Sequence, residues 1–563
     1  MIVGSKVSLS IYAYLMYTDF IIIHQIGSPH MSFKLNECQQ LSFTDSLLQL
    51  TAREKKALEN SWAKIFADEL FPAINEESFS VLYSDHRASR PNTPVNIVVG
   101  ACIIKELFDY SDDEIVEGLM LDLRMQYALH TTSFDEQPLS DKSLSRFRKK
   151  CYEYETLYGI DLYADCIKSL SGQIAKLMKL DGRIRRMDSM MINSNMKLLS
   201  RLELFYTCIS RLVIHIFKKE PDRIPEELRH YTEANDYNKI FYHYKSSEST
   251  DRTENLLKDT EQVLALCGDD YEDTTEYQLF IRFLSEQTVV ENGTRRMATK
   301  EDKKGDSHNL QNPTDPDATY RIKAGKHYRG YVGNLEETVG ENGSVITDYE
   351  YEKNTYSDTR FIKERIEELP KQDEAMLLVT DGGYYSNDIV EEGKQKNINI
   401  VTTALKGKET NEFRLRFETD EEKKRIIRCP AGHEPKSCCY KASNDEFKIS
   451  FESETCRNCP YQKQCGPKIF KKVAKILLTR KSFIRHELQI KMKEPDFEKY
   501  SRLRNGIETV PSVLRRHYRL DKLPRSRVKG KFFFGSKIMA FNFRKLFNYR
   551  KGLGRYALNP LLS

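Results

Sequence analysis

The chain has 563 residues, of which 30% are charged and 39% hydrophobic. That balance fits a folded protein with room for several domains and a sizeable core, and it excludes a disordered or fibrous chain. The net charge is only +5, but residues 515–555 hold 14 Lys and Arg against one acid, Asp521, which leaves the remainder near −8. Such segregation points to a polyanion partner at the C-terminal end. Twelve cysteines in so long a chain do not make a disulfide scaffold: six crowd between Cys429 and Cys465 and six are scattered, which suits a reducing cytoplasm.

Residues 1–30 differ in character from the rest of the chain. The stretch 10–24 is apolar but interrupted by Asp19 and too short for a membrane span, and Gly27-Ser28-Pro29 is a poor signal-peptide cleavage site. We read Met31 as the natural start and residues 1–30 as an over-extended frame, with a buried N-terminal strand as the alternative. Residues 51–74 place Leu58, Trp62, Ile65, Phe66 and Leu70 at helical spacing, and 96–108 predicts a second, nearly all-apolar helix. Ser111 and Glu114 form a capping box that opens a third. Ser140 is expected to cap a fourth, whose surface carries Lys142, Arg146, Arg148, Lys149 and Lys150. Several helices ending in a basic one suggest a helix-turn-helix-like module docking on DNA phosphates, against the plainer reading of a solvated charged face.

Asp188 follows in Arg183–Ser189, and the pattern then changes. Residues 197–290 read as helices. Residues 299–317 form a polar loop, and 326–339 with 343–351 alternate like a hairpin turning at 340–343. A helix is expected around 358–369. The apolar run Met376, Leu377, Leu378, Val379 reads as a buried strand that stops at Asp381-Gly382-Gly383, which sets Asp381 on an exposed rim where the glycines permit close backbone approach. Residues 398–405 give one more strand. Farther on, Glu508 has Arg504 four residues before it and Arg515 seven after, which on one helix share a face. Three carboxylates from distant segments can supply the oxygen ligands of a hard divalent cation.

The cysteine segment holds Cys429, Cys438, Cys439, Cys456, Cys459 and Cys465, with His433 nearby. Cys456-x-x-Cys459 makes half of a tetrahedral zinc site. The other half is open: Cys429 with Cys438 or Cys439, or Cys465. Such a zinc would be structural, and reduced structural cysteines are the plainer reading. In 529–551, seven aromatics alternate with Lys531, Lys537, Arg544, Lys545, Arg550 and Lys551. At least half of those aromatics are expected in a core, with the cations, Arg544 and Lys545 among them, as DNA contacts.

Together these residues resemble the DDE transposases of bacterial insertion sequences, whose catalytic glutamate lies in a Tyr/Arg/Glu/Lys signature. Arg504 and Glu508 match it and Arg515 stands at the usual lysine. Ser501 occupies the tyrosine position, with Tyr500 one residue early, and Pro511 forces a kink or a restart after Glu508. Residues 89–150 resemble the InsH-type N-terminal domain, and Pro313-Thr314-Asp315-Pro316-Asp317 also resembles the family. The resemblance implies an α+β or α/β chain: a helical DNA-binding domain (31–180) and an RNase H-like mixed-sheet core (181–195, 300–425 and 471–520). That core would be interrupted by a helical insertion (196–299) and a Cys-rich insertion (426–470), and a basic segment (521–563) ends the chain. It further implies Asp188, Asp381 and Glu508 as ligands of two Mg²⁺ or Mn²⁺ ions about 3.5–4 Å apart, and Arg504 and Arg515 on phosphate. Double-stranded DNA would be the partner, both element ends and target, bound by a homodimer in a nucleoid-associated cytoplasmic setting with no membrane. Alternatives are a nuclease of the same fold without joining activity, and a catalytically decayed, zinc-stabilised DNA-binding protein.

Overall fold

The computed structural model describes residues 33–36, 45–84, 91–134, 136–241, 249–302, 305–405, 412–420 and 424–553. Residues 1–30, read above as a doubtful leader, lie outside them. The chain divides into two compact units, one of residues 1–178 with 531–563, the other of residues 179–530.

The first unit is helical. The stretch 51–74 is not one helix: Ala52–Glu59 stops, Ser61 caps a new turn at Trp62–Ile65, and the chain tightens through Phe66–Leu70 and Phe71–Ala73, where Pro72 removes a backbone donor. Helix α1 (Val95–Phe108) is buried on nearly all sides. Helix α2 (Asp112–Leu121) opens on the Ser111–Glu114 capping box. Helix α3 (Ser143–Tyr158) begins two residues later than expected, with Lys142 in the cap position. Ser140 does not cap it, because its hydroxyl pairs with the Ser143 hydroxyl at 3.0 Å. Helix α4 (Leu162–Leu177) completes the set.

The C-terminal helix Arg527–Arg550 enters this core from Lys531 onward. Phe532 stacks on Tyr163 with centroids 3.6 Å apart, Phe543 meets Phe66 edge-on, and Phe534, Phe541 and Phe547 are buried as well. Its cations are partly structural, contrary to the expectation of a DNA-facing row. Lys537 is buried in an ion pair with Glu106, and Lys531 lies 3.7 Å from Asp161. A buried ammonium needs such a partner because desolvation otherwise disfavours its charge.

The second unit is built on a six-stranded mixed sheet. Strand β1 (Ile184–Asn193) is followed by helices α5 (Arg201–Lys219), α6 (Ser249–Cys267) and α7 (Thr275–Gln287), which close a core of their own around Phe205, Ile209, Phe280 and Phe283. Strands β2 (Thr319–Lys323), β3 (Lys326–Gly340) and β4 (Gly343–Lys353) come next, and the β3–β4 hairpin turns with Gly340 opposite Gly343 as the spacing predicts. Helix α8 (Asp358–Glu368), strand β5 (Met376–Thr380), helix α9 (Asn387–Gln395) and strand β6 (Ile398–Thr402) complete this part. The strand order is β2-β3-β1-β5-β6, with β4 also paired to β3. β3 runs antiparallel to β1 and to β4, whereas β1, β5 and β6 are mutually parallel. Asp315, in the polar loop, is a buried hub that accepts from Tyr331 Oη at 2.5 Å, from the Ser526 N–H at 3.0 Å and from Ser194.

A second sheet carries the cysteine segment: strands β7 (Ser437–Lys441), β8 (Glu446–Glu452) and β9 (Val473–Thr479) are antiparallel neighbours. Helices α10 (Arg480–Met492), α11 (Glu498–Asn505) and α12 (Thr509–His517) follow. The single helix expected around Glu508 is therefore broken. Glu508 is the residue before α12, and Pro511 falls in that helix's first turn, where a missing N–H and a fixed φ are tolerated.

Candidate active site

The parallel pairing of β1 with β5 matches Ile184 to Leu377, Arg185 to Leu378 and Arg186 to Val379. Carried two residues on, the same register sets Asp188 level with Asp381. Asp381 leaves the strand in a tight turn, its Oδ1 accepting the Gly383 N–H at 2.6 Å. Gly382 serves a backbone approach, as expected of it, but to protein: a Cβ there would lie 2.5 Å from the Ala404 carbonyl oxygen.

Helix α11 packs on β1 and β5 and delivers the third acid through its last turn. Arg504 Nη2 lies 3.3 Å from Asp188 Oδ2, and Nη1 of the same guanidinium bonds Glu508. The break in the helix thus preserves the contact between residues four apart. Asp188 and Arg504 are only 15% and 16% exposed, Glu508 55%. Burial pushes the Asp188 carboxyl up and the Asp381 charge adds to this. Arg504, the Ser189 N–H and Lys323 oppose it without cancelling it. The Nε of Arg504 is buried with no acceptor among the described residues.

Arg515 does not stay on this face. Its Nη2 donates to the Met191 carbonyl at 2.7 Å and its Nε lies 3.7 Å from Asp521, so the break turns it toward β1 rather than beside Glu508. Among the expected DNA contacts of α3, Arg146 and Lys149 are exposed and, with Lys142, follow helical spacing along one stripe. Arg148 is the exception. It is 8% exposed, paired with Asp112 and set over the Phe533 ring, because its position in α3 faces the core. Arg544 and Lys545 are half-buried on the C-terminal helix, Lys545 over the Phe541 ring.

Residues missed from the sequence hold this site together. Arg186, 8% exposed, donates Nε to Glu337 at 2.8 Å and Nη1 to the Leu503 carbonyl at 2.7 Å. One guanidinium thereby ties β1 to β3 and to the end of α11, next to Arg504. Gly506 is required there, since a Cβ would run into that guanidinium. Lys323 of β2 donates to the Ser189 hydroxyl at 3.3 Å and is close enough to Asp188 to favour its charged form. The signal was available for Arg186: an arginine inside a largely buried strand needs a partner.

The six clustered cysteines separate into two groups. Cys429, Cys456, Cys459 and Cys465 line one cavity with His433, Phe413, Phe451 and Ile476. Burial, then the neighbouring Cys429 and Cys459, raises the Cys456 thiol, and burial pushes Cys465 up to about 11. Cys438, on β7, instead accepts the Ile426 N–H, and Cys439 is exposed. Among the described residues, no three His, Cys, Asp or Glu side chains are arranged to hold a metal ion as they stand. No helix among them is long and apolar enough to cross a membrane.

Comparison with known proteins finds two family models. Residues 428–547 match the transposase DDE domain, and residues 53–150 match a transposase domain known as DUF772. The first match covers Glu508 and the cysteine segment but neither Asp188 nor Asp381. No curated protein and no solved structure matches the chain. A DDE domain implies dependence on a divalent metal in general, and a transposase implies DNA binding. Two separate stretches of this sequence thus match transposase domains, and together they support an insertion-sequence DDE transposase.

Proposed function

We propose that this transposase cuts DNA at the ends of an insertion sequence and joins those ends to target DNA, using Asp188, Asp381 and Glu508. The observation that carries the reading is a meeting of acids: Asp188 in the middle of β1 level with Asp381 just past the end of its parallel neighbour β5, with Glu508 brought to Asp188 by Arg504. The order β4-β3-β1-β5-β6, in which β1 has an antiparallel neighbour on one side and a parallel one on the other, supports an RNase H-like core. In that core α5–α7 and the cysteine segment would be insertions.

The donor set fits a divalent cation. Asp188 and Glu508 share one guanidinium, which already supplies positive charge between them, and the Asp381 charge acts on Asp188. Mg²⁺ or Mn²⁺ held there would activate the attacking oxygen and stabilise the departing 3′ oxygen in an in-line displacement at phosphorus. The chain's own residues do the positioning. Asp188 and Asp381 fix the charge at the rim, and Arg186 holds the end of α11 so that Glu508 and Arg504 reach it. Arg504 is the phosphate ligand in this reading, since a guanidinium fork suits phosphate oxygens and its Nε has no acceptor among the described residues. Arg515 supports α12 against β1 instead of gripping phosphate. Lys142, Arg146 and Lys149 on α3 contact the DNA backbone and supply affinity rather than sequence readout. A homodimer pairing two element ends completes the reading.

The test is cleavage and joining of DNA ends taken from beside the gene, in Mg²⁺, by the full chain and its Asp381→Ala variant. Loss of both reactions with DNA binding retained supports the reading. Undiminished cleavage by the variant overturns it.

A further inference from the structure

We propose that Cys429, Cys456, Cys459 and Cys465 bind one structural Zn²⁺ as a tetrathiolate, and that Cys438 and Cys439 take no part. This deepens the zinc reading of the cysteine segment and is independent of the DNA chemistry. Four thiols drawn from three turns line a single cavity. Its other walls, Phe413, Phe451, Ile476, Pro430 and Pro467 among them, offer no carboxylate, and thiolates without oxygen donors select zinc over Mg²⁺ or Ca²⁺.

The backbone around the cysteines is turned as tight knuckles. The Cys429 N–H donates to the His433 carbonyl at 2.9 Å and the Gly432 N–H to the Cys429 carbonyl at 2.8 Å, with Gly432 at φ +84°. The Cys459 carbonyl accepts from Gln462 at 3.1 Å, the Cys465 N–H donates to Tyr461 at 2.9 Å, and Gly466 at φ +60° ends that turn. Turns of this kind set several thiols along one cavity, where a tetrahedral ion could take them as ligands. Cys438 is excluded because its sulfur is engaged by the Ile426 N–H at 3.4 Å, and Cys439 because it is exposed.

The segment also needs a staple. Its core is small, built mainly from Phe447, Ile449, Phe451, Ile476 and Leu478, and small cores of this kind are commonly completed by a metal. The turn is anchored from outside by Arg414, which donates to the Cys465 carbonyl at 2.8 Å and the Gly466 carbonyl at 3.0 Å. Zn²⁺ held there would take the four sulfurs as thiolates, and each thiol would give its proton to solvent.

The experiment measures metal in the full chain, purified in reductant and supplied with Zn²⁺. We expect one zinc per chain, falling to none in Cys456→Ser and Cys465→Ser and unchanged in Cys438→Ser and Cys439→Ser. Because a variant that loses zinc can also unfold, Co²⁺ is exchanged into the unsubstituted chain and its sulfur-to-metal charge-transfer bands are recorded. Intensity for four thiolates supports the proposal. Intensity for three, with His433 as the fourth ligand, overturns it, as does a chain that binds no metal or loses it equally in Cys438→Ser. Metal content is read without DNA, so a chain that holds zinc but cuts nothing contradicts the proposed reaction and leaves this site standing.

Discussion

At the start of β1, Arg185 and Arg186 face Glu336 and Glu337 across the sheet, and each buried acid has a guanidinium of its own. Arg185 lies 2.7 Å from Glu336, Arg365 lies 2.8 Å from the same carboxylate, and Arg186 lies 2.6 Å from Glu337. Two residues beyond Arg186, Asp188 shares Arg504 with Glu508 and also feels the charge of Asp381. One strand therefore carries a balanced buried network and, two residues farther along at its middle, a surplus of negative charge. Balance of the first kind leaves each buried charge with a partner. A surplus at a rim calls for a cation from outside, and we read the difference as structure against function.

The predictions separate the two ends, and the largest concerns the rim. Asp188→Asn or Asp381→Asn should lower metal-dependent cleavage by about 10³-fold or more, because several kcal/mol of charge stabilisation vanish and each 1.36 kcal/mol is tenfold. Neither substitution should lower the unfolding midpoint. A fall in stability that matches the fall in rate would return these acids to the structural class.

The balanced end should respond the other way. Glu336→Gln leaves Arg185 without its buried carboxylate and takes one of two from Arg365, which keeps Asp348, and should cost about 3–5 kcal/mol of stability, read as lost hydrogen-exchange protection of β3 amides. A stable Glu336→Gln protein would remove the contrast.

Arg504 belongs to both ends of the comparison and should split two readouts. Arg504→Ala removes a cation that competes for Asp188 and Glu508 and a donor for phosphate. Cleavage should therefore drop by about 10–100-fold, while the apparent affinity for Mn²⁺ holds or rises. Weaker Mn²⁺ binding in this variant would make Arg504 a structural support of the acids instead.

The smallest effect is in pH dependence, where the ends carry opposite signs. Glu336 is pushed up by burial but held below the ordinary range by Arg365 and Arg185. Its stabilisation is thus present above the unfolded glutamate pKa, about 4.5, and is lost as pH falls below it. Asp188 is raised in the fold, so without metal its ionisation costs stability as pH rises above the unfolded aspartate value, about 3.9, through its folded pKa. Asp188→Asn should flatten that part of the metal-free stability profile, and an unchanged slope would contradict the assignment.

How much of this the sequence discloses depends on the range of the interaction. Local signals served well: the Ser111–Glu114 capping box, the turn between Gly340 and Gly343, and the strand that stops before Asp381 are all set by neighbours in the chain. The resemblance to transposases rested on such short runs too. What escaped is decided between distant residues. The basic surface of α3 is visible as composition, but only packing distinguishes Arg146, exposed, from Arg148, buried on Asp112. Likewise Lys537 looks like a DNA contact until Glu106 is found against it. Pro511 announced a break, yet whether the break would separate Arg504 from Glu508 or Arg515 from both depended on where α12 lies on β1. Arg186 and Gly506 form one device across more than three hundred residues, which no spacing rule reaches.

The most direct measurement is a crystal structure of the full chain soaked in Mn²⁺, with the ion located by anomalous scattering. The account predicts Mn²⁺ among the carboxylates of Asp188, Asp381 and Glu508, with Arg504 turned from between the acids toward the path of a phosphate. Mn²⁺ bound elsewhere, or a rim still closed by Arg504 at saturating metal, would contradict it.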